Sequence, residues 1–282
     1  MYYRESEKEI DVFCVGKTNL DIYYYVEKIT QEANHVAKEF TVSPGGKATN
    51  VAILLSKLGI NVALVSALGN DTFGKKVSQL LSKENLKYIP KLKDAPTALT
   101  SIIIEKDGKN TMFHNLGANA CLTPDDIPPL NKYTYVQTGI PVKTIISVIQ
   151  TAPKVFVELS EPSQFEKLKN YLWKVDCVSL NEEEINSIFK HNNIDRNINS
   201  FLKYTPRVLL KMGEKGILFK EKNGTCVNQP AIKTNIVNTT GAGDAVSAGY
   251  IYGVIKGWDI NETLKFCVKL ASKVLKSKSS TY

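Results

Sequence analysis

The stretch Asn238-Thr239-Thr240-Gly241-Ala242-Gly243-Asp244, followed by AVSAGYIYGVIKG, decides how this 282-residue chain is read. Thr240 to Asp244 form a turn of small residues whose backbone N–H groups are free to point at a ligand. The apolar run after it reads as a helix, and a helix turns its positive end toward its own N-terminus. An anion is expected there, with the Asp244 carboxylate beside it. The rest of the chain is then expected to supply what that anion reacts with.

Working outward, the second half alternates between short apolar runs and amphipathic ones. Strands are expected at residues 133–137, 155–159, 175–180 and 208–212, with helices near 143–151, 163–173, 182–191 and 196–204. Apolar strands alternating with helices argue for a parallel sheet covered on both faces, with ligands at the carboxyl ends of its strands. Residues 216–219 and 225–227 flank Asn223-Gly224 and read as a hairpin. In the first half, residues 10–15 and 61–68 read as core strands and 73–84 as a helix. Residues 20–29 and 35–42 are less apolar and richer in aromatics. They suggest a small sheet with one face open, or covering a site. Residues 97–105 and 110–115 flank Lys106-Asp107-Gly108-Lys109, a second hairpin signal. With no repeat, low-complexity tract or linker, residues 1–282 read as one domain whose excursions near 20–42 and 97–115 form a lid.

A second turn mirrors the first. Ser43-Pro44-Gly45-Gly46-Lys47-Ala48-Thr49-Asn50 runs into VAILLSKLG, where Val51, Leu54, Leu55 and Leu58 mark an amphipathic helix and Gly59 its stop. Lys47 and Asn50 lie three apart on one side of its first turn. They are either an ordinary solvated loop end or, with the Gly45 and Gly46 N–H groups, a cradle for a hydroxyl-rich ligand. Asn19 and Asp21 follow the first strand. Asn181-Glu182-Glu183-Glu184 follows another, either capping the next helix or holding hydrated magnesium. Lys211-Met212-Gly213-Glu214-Lys215-Gly216 follows the next. Gly16-Lys17-Thr18 looks like the end of a phosphate-binding P-loop. The position where that motif needs its first glycine is Asp11, and strand residues fill the interval, so the P-loop reading is rejected.

These motifs together make the chain resemble the ribokinase-like (PfkB) family of sugar and nucleoside kinases, from Val12 to about Ala271. PGGKATNVAILLSKLG matches one family signature and Asn238 to Asp244 the other, with an N-x-x-E motif at Asn181 and Glu184 between them. The resemblance implies a three-layer α/β/α doubly wound, mostly parallel sheet with a small β-sheet lid. It implies transfer of the γ-phosphate of ATP, with Mg2+, to a hydroxyl of a small sugar, a pentose such as ribose. Asp244 matches the catalytic base; Gly241, Ala242 and Gly243 match the anion hole. Asn19, Asp21, Gly45, Gly46, Lys47 and Asn50 match substrate positions. Asn181, Lys211, Gly213, Gly216 and Thr240 fall on the nucleotide side, and Glu184 on the metal. Two positions depart. Asn238 stands where potassium-activated members carry an aspartate of the monovalent-cation site; an amide offers an oxygen without the charge, which puts K+ activation in question. Gly139 aligns with a glutamate of ribokinases, which weakens ribose as the specific acceptor.

The acceptor stays open on residues alone. Gly117-Ala118-Asn119-Ala120 resembles a ribokinase turn and favours an unphosphorylated pentose. A sugar-phosphate kinase would need a second cation besides Lys47, which the sequence does not locate. A nucleoside kinase would need a base slot, for which Tyr23, Tyr24 and Tyr25 are candidates; an exposed strand face or dimer contact is the simpler account of them. A non-catalytic sugar- or nucleotide-binding regulator is the rival from another class, and an intact Asp244 argues against it.

Bulk properties narrow the partners. The chain is 43% hydrophobic and 23% charged, enough for a sizeable core. No run of eighteen apolar residues occurs and the N-terminus is polar, so neither a membrane span nor a signal peptide is expected, and the protein is expected in the cytoplasm. The five cysteines form no C-x-x-C pair and read as free thiols. The net charge of +8 would suit an anionic partner, but the lysines are spread along the chain and no nucleic-acid-binding pattern accompanies them. The lid strands are expected to pair between subunits as a homodimer.

Overall fold

Alternation within the first strand sets the layering. In β1 (Val12–Val15) all four residues are buried. Val12 and Cys14 join one apolar core, and Phe13 and Val15 the other, because successive side chains point to opposite faces of a strand. The structure is a computed structural model describing residues 9–282. The chain continues through β2 (Asn19–Val26), β3 (Glu39–Gly45), α1 (Lys47–Lys57), β4 (Val62–Gly69), α2 (Thr72–Leu81), β5 (Lys87–Lys93), β6 (Leu99–Glu105) and β7 (Asn110–His114). It then runs through β8 (Tyr133–Gln137), α3 (Val142–Thr151), β9 (Lys154–Glu158), α4 (Phe165–Leu168), β10 (Cys177–Asn181), α5 (Glu182–Ile188), α6 (Ile194–Phe201) and β11 (Arg207–Lys211). The last elements are β12 (Ile217–Glu221), β13 (Cys226–Gln229), α7 (Ala242–Lys256) and α8 (Ile260–Leu275).

Nine strands form one sheet in the order β13-β12-β11-β10-β9-β8-β1-β4-β5. It is parallel from β11 to β5, and only the β11–β12 and β12–β13 pairings are antiparallel. Residues of α1, α7 and α8 pack on one face, and residues of α3, α4, α5 and α6 on the other. This is the three-layer, mostly parallel architecture expected from the alternating pattern. The strand order reverses between β1 and β8, where open α/β sheets leave a crevice.

The remaining four strands make a separate sheet, β3-β2-β6-β7, in the lid segments. It is mixed: β2 pairs antiparallel with β3 and parallel with β6, and β6 pairs antiparallel with β7. Tyr23, Ile102 and Ile104 form its small core. Tyr24 stacks on Phe40 at 6.5 Å on the opposite, exposed face.

Several boundaries differ from the sequence reading. β3 starts at Glu39 rather than 35, because His35 belongs to a loop and its Nε2 accepts from the Thr30 N–H at 3.2 Å. The strand instead runs on through Pro44, which an edge strand tolerates. β5 escapes detection because Pro90 interrupts it and lysines alternate along it, the composition that protects a sheet edge. The expected helix at 163–173 reduces to α4 followed by a tighter turn. After Leu168 the bonds shorten to three residues, as from the Tyr171 N–H to the Leu168 carbonyl, yet Phe165, Leu168 and Leu172 still reach one core. That shared core is what the periodicity recorded. Among the described residues, no helix is long and apolar enough to cross a membrane.

Candidate active site

Gly241 caps α7 with φ +86°, and a Cβ there would collide with the Ser280 carbonyl, so both backbone and space require glycine. The 15-residue α7 begins immediately after it. The Ala245 N–H donates to the Gly241 carbonyl at 2.9 Å, whereas no backbone bond takes the N–H of Gly243 or Asp244. Those two donors and the helix dipole would favour an anion at this point. The Thr240 N–H donates to Asn238 Oδ1 at 2.9 Å, and Thr240 Oγ1 is buried without a partner.

Asp244 is 4% exposed in the first turn of α7. Its Oδ2 accepts from Asn50 Nδ2 at 2.7 Å, and its Oδ1 lies 3.7 Å from Lys47 Nζ with no hydrogen bond. Ser280 Oγ donates to Asn50 Oδ1 at 3.2 Å, fixing the amide orientation. Asn50 therefore fixes one carboxylate oxygen of Asp244 directly, while the other is buried without a hydrogen bond. The negative charge of Asp244 holds the Lys47 ammonium above its ordinary pKa.

The facing wall comes from the base of the lid. The register pairs Asn19 with Gly45 and Asp21 with Ser43. A Cβ on Gly45 would overlap the Asp21 carboxylate, and one on Gly46 the Lys17 carbonyl, so this Gly-Gly pair lets two chain segments touch. Asn119 Nδ2 donates to Asn19 Oδ1 at 3.0 Å and to the Thr18 carbonyl at 3.1 Å. Asn19 Nδ2 donates to Thr100 Oγ1 at 3.1 Å. Asp21 Oδ1 is buried without a partner. Burial, aided by the charge of Asp244 and opposed by Thr100, pushes the Asp21 carboxyl up to about 7.

On the other side of Asp244 lies a cavity of about 540 Å³ bounded by Lys211, Gly213, Gly216, Val246, Val268 and Ala271, among others. Gly243 and Ala242 form part of its wall, so it reaches the N-terminus of α7. Lys211 Nζ donates to both carboxylate oxygens of Glu158, at 2.8 and 2.7 Å, and Ser247 Oγ donates to Glu158 Oε2 at 2.6 Å. Asn181 and Glu184 form a reciprocal capping box on α5, each side chain accepting the other's N–H at 2.7 Å. Burial and the nearby Glu158 raise the Glu184 pKa. Its second oxygen accepts no hydrogen bond from the described residues, and no cluster of three metal-ligating side chains forms among them.

The pfkB family carbohydrate kinase model matches residues 9–282. The chain belongs to the pfkB carbohydrate kinase family. This carbohydrate kinase is a phosphotransferase with an alcohol group as acceptor. A ribokinase of Dictyostelium discoideum is 27% identical over 94% of this chain and 93% of its own. The crystal structure of a ribokinase from Thermotoga maritima superimposes with a TM-score of 0.85 at 26% identity, covering 97% of this kinase and 95% of that chain. A ribokinase of Arabidopsis thaliana complexed with ribose and ATP matches with a TM-score of 0.79 at 23% identity, covering 96% and 94%.

Of the residues singled out in the sequence, Asn181 and Lys211 end neighbouring parallel strands of the large sheet, and Asn19, Asp21 and Gly45 lie in register in the lid strands β2 and β3. Asn19, Asp21, Gly45, Gly46, Lys47 and Asn50 lie on one side of Asp244, and Lys211, Gly213, Gly216 and Gly243 on the other. Sequence reasoning missed Glu158, which ends an apolar strand and only in the fold meets Lys211. It missed Ser280, which touches both Gly241 and Asn50 from near the C-terminus. It also gave no role to Lys17, although the rejected P-loop match had drawn attention to it.

Proposed function

We propose that this kinase transfers the γ-phosphate of ATP to a hydroxyl of a small sugar of pentose size, such as ribose. The observation that carries this reading is Asp244, a buried carboxylate at a helix N-terminus with one oxygen fixed by Asn50 and the other without a hydrogen bond. ATP fits the cavity beside α7, which is largely apolar at Val246, Val268 and Ala271 and ends at the Gly243 N–H. Mg2+ fits the unpaired oxygen of Glu184, since magnesium binds through one or two carboxylates plus phosphate oxygens. Bound together, they supply the phosphoryl group and offset its charge.

The chain's own residues then orient the acceptor. The Asp244 oxygen without a hydrogen bond accepts the attacking hydroxyl and takes its proton late, because phosphoryl transfer requires positioning more than a strong base. The Gly243 and Asp244 N–H groups and Lys47 steady the moving negative charge. The unpaired oxygen of Asp21 accepts further sugar hydroxyls, with Asn19 beside it and the lid excluding water. A sugar suits this site better than a nucleoside: Tyr23 is committed to the lid core and Tyr24 to the outer face, so neither offers a base slot.

Asp244→Asn tests the reading. It should fold normally and lose on the order of 10²-fold or more in sugar-dependent ADP release, the scale of general-base loss. Turnover near wild type would refute the role. ADP release that no sugar in a broad panel stimulates would favour a binding regulator.

The outer lid face suits a homodimer. Tyr24 pairs in register with Phe40 and Ile103, and Phe113 pairs with Ser101 two residues along, so their side chains share one face. Phe40 and Phe113 are each 65% exposed, an apolar patch that a second copy would cover. A monomeric mass by light scattering at micromolar concentration would count against it. The cytoplasm fits five cysteines that are all free thiols.

A further inference from the structure

Lys17 sits where the strand order of the large sheet reverses. β1 and β8 are neighbours, but the sheet grows from β1 toward β4 and from β8 toward β9, opening a crevice at their carboxyl ends. Gln137 Oε1, at the end of β8, accepts from the Lys17 N–H at 3.3 Å and from the Ala48 N–H at 3.1 Å. This one side chain sets where Lys17 and the start of α1 stand relative to each other. The Lys17 side chain then crosses Gly139, its Nζ 2.9 Å from where a Cβ on that residue would be. Gly139 is itself fixed, its N–H donating to Gln164 Oε1 at 2.9 Å. The ammonium thus occupies space that any side chain at 139 would take.

Lys17 is half-buried, and among the described residues no carboxylate comes within ion-pair distance of it. Glu161 is the carboxylate whose charge it feels, and that residue already accepts from Ser163 Oγ at 2.7 Å. Burial first, and then the neighbouring Lys47 ammonium, pull the Lys17 pKa below its ordinary value. A half-buried ammonium without a carboxylate partner is poorly solvated there, and the Lys47 charge adds to the cost. An anion placed against the Lys17 ammonium relieves that cost.

We propose that Lys17 is a specificity residue which holds an anionic group on the acceptor sugar, a phosphate or a carboxylate. The inference rests on the sugar-kinase reading above and narrows its acceptor class. An ammonium only donates hydrogen bonds, and a donated bond to an ionised oxygen is about twice as strong as one to a neutral hydroxyl. The second cation that a phosphorylated sugar needs is therefore present, supplied by the residue just past β1.

The test compares three acceptors with the full-length protein: a neutral pentose, its terminal phosphate ester and its aldonic acid. ADP release gives kcat/KM, and calorimetry without nucleotide gives binding. The anionic acceptors should exceed the neutral parent by about tenfold or more, the scale of a charge-assisted contact. The better of the two anionic arms identifies the group. Lys17→Gln should lower the anionic-to-neutral ratio of kcat/KM by about tenfold or more, acting mainly on KM, and Lys17→Arg should restore most of it. A melting curve checks that each variant folds. Equal or better use of the neutral sugar overturns the inference, as does a Lys17→Gln ratio equal to wild type. Anionic sugars that bind in a Lys17-dependent way without releasing ADP would sink the kinase reading and leave this one standing. Turnover confined to neutral sugars would do the reverse.

Discussion

Replacing Asp21 with asparagine should exchange function for stability in a pH-dependent way. The carboxyl is 5% exposed, has one oxygen without a partner, and is pushed up to about 7 from an ordinary 3.8, chiefly by burial. For an acid raised in the folded state, the full stability is present below pH 3.8. It is lost as pH rises through the window from 3.8 to about 7, because the unfolded chain ionises first. At about 1.4 kcal/mol per pKa unit, the loss at pH 8 is about 2–4 kcal/mol once local relaxation is allowed for. The asparagine variant carries no ionisable group there and so escapes that loss. Relative to wild type, Asp21→Asn should therefore gain on the order of 5–10 °C in melting temperature between pH 4.5 and pH 8. Urea or thermal unfolding of both proteins at the two pH values measures this as a double difference, which cancels the titration of every other group. The kcat/KM of wild type for sugar should rise through pH 7 as the carboxylate forms, and the variant should lose that rise together with most of its sugar affinity. Because Asp244 also raises Asp21, Asp244→Asn should shift the stability window downward. A wild-type-minus-variant difference that is the same at pH 4.5 and 8 would refute the reasoning.

Other positions make separate predictions. Gly241→Ala meets both a left-handed backbone and the Ser280 carbonyl, so it should cost about 1–3 kcal/mol or more of stability and reduce turnover, seen by unfolding and ADP release. Asn238 spends its amide internally, Nδ2 donating to the Lys278 carbonyl at 3.1 Å and Oδ1 accepting from Thr240, so exchanging sodium for potassium should leave turnover unchanged. A potassium activation of several-fold would contradict that account. Lys211→Met should destabilise the protein by about 3–5 kcal/mol, because it leaves Glu158 buried without its cation, whereas Lys211→Met with Glu158→Gln should recover much of the loss in the same unfolding assay.

Much of the fold is legible in local pattern. The apolar strands, the amphipathic start of α1 and the DG and NG hairpins each depend on neighbours in sequence, and the structure contains them all. The weaker readings involve edge strands and short helices. β5 has the lysines and proline of a protected edge, and α4 is a single helical turn whose apolar residues, with Leu172 beyond it, reach one core. The candidate site is legible where a motif is contiguous, as at residues 45–50 and 240–244. It is not legible where one atom depends on a distant partner. The sequence marks Asn50 as a candidate ligand contact, and only the fold adds its 2.7 Å bond to Asp244, 194 residues away.

The layered parallel sheet, the two glycine turns and the family are all written in the chain's local pattern, because helix starts, strand alternation and turn chemistry are properties of neighbouring residues. Which charges face one another is settled only when the chain folds. Folding pairs Lys211 with Glu158, fixes Asp244 through Asn50 and Ser280, and leaves Lys17 across Gly139 without a carboxylate in ion-pair distance among the described residues. These relations arise from strand order, which brings the ends of β1, β8, β9 and β11 to one edge. Electrostatic interaction depends on distance in space, and a linear sequence does not contain it.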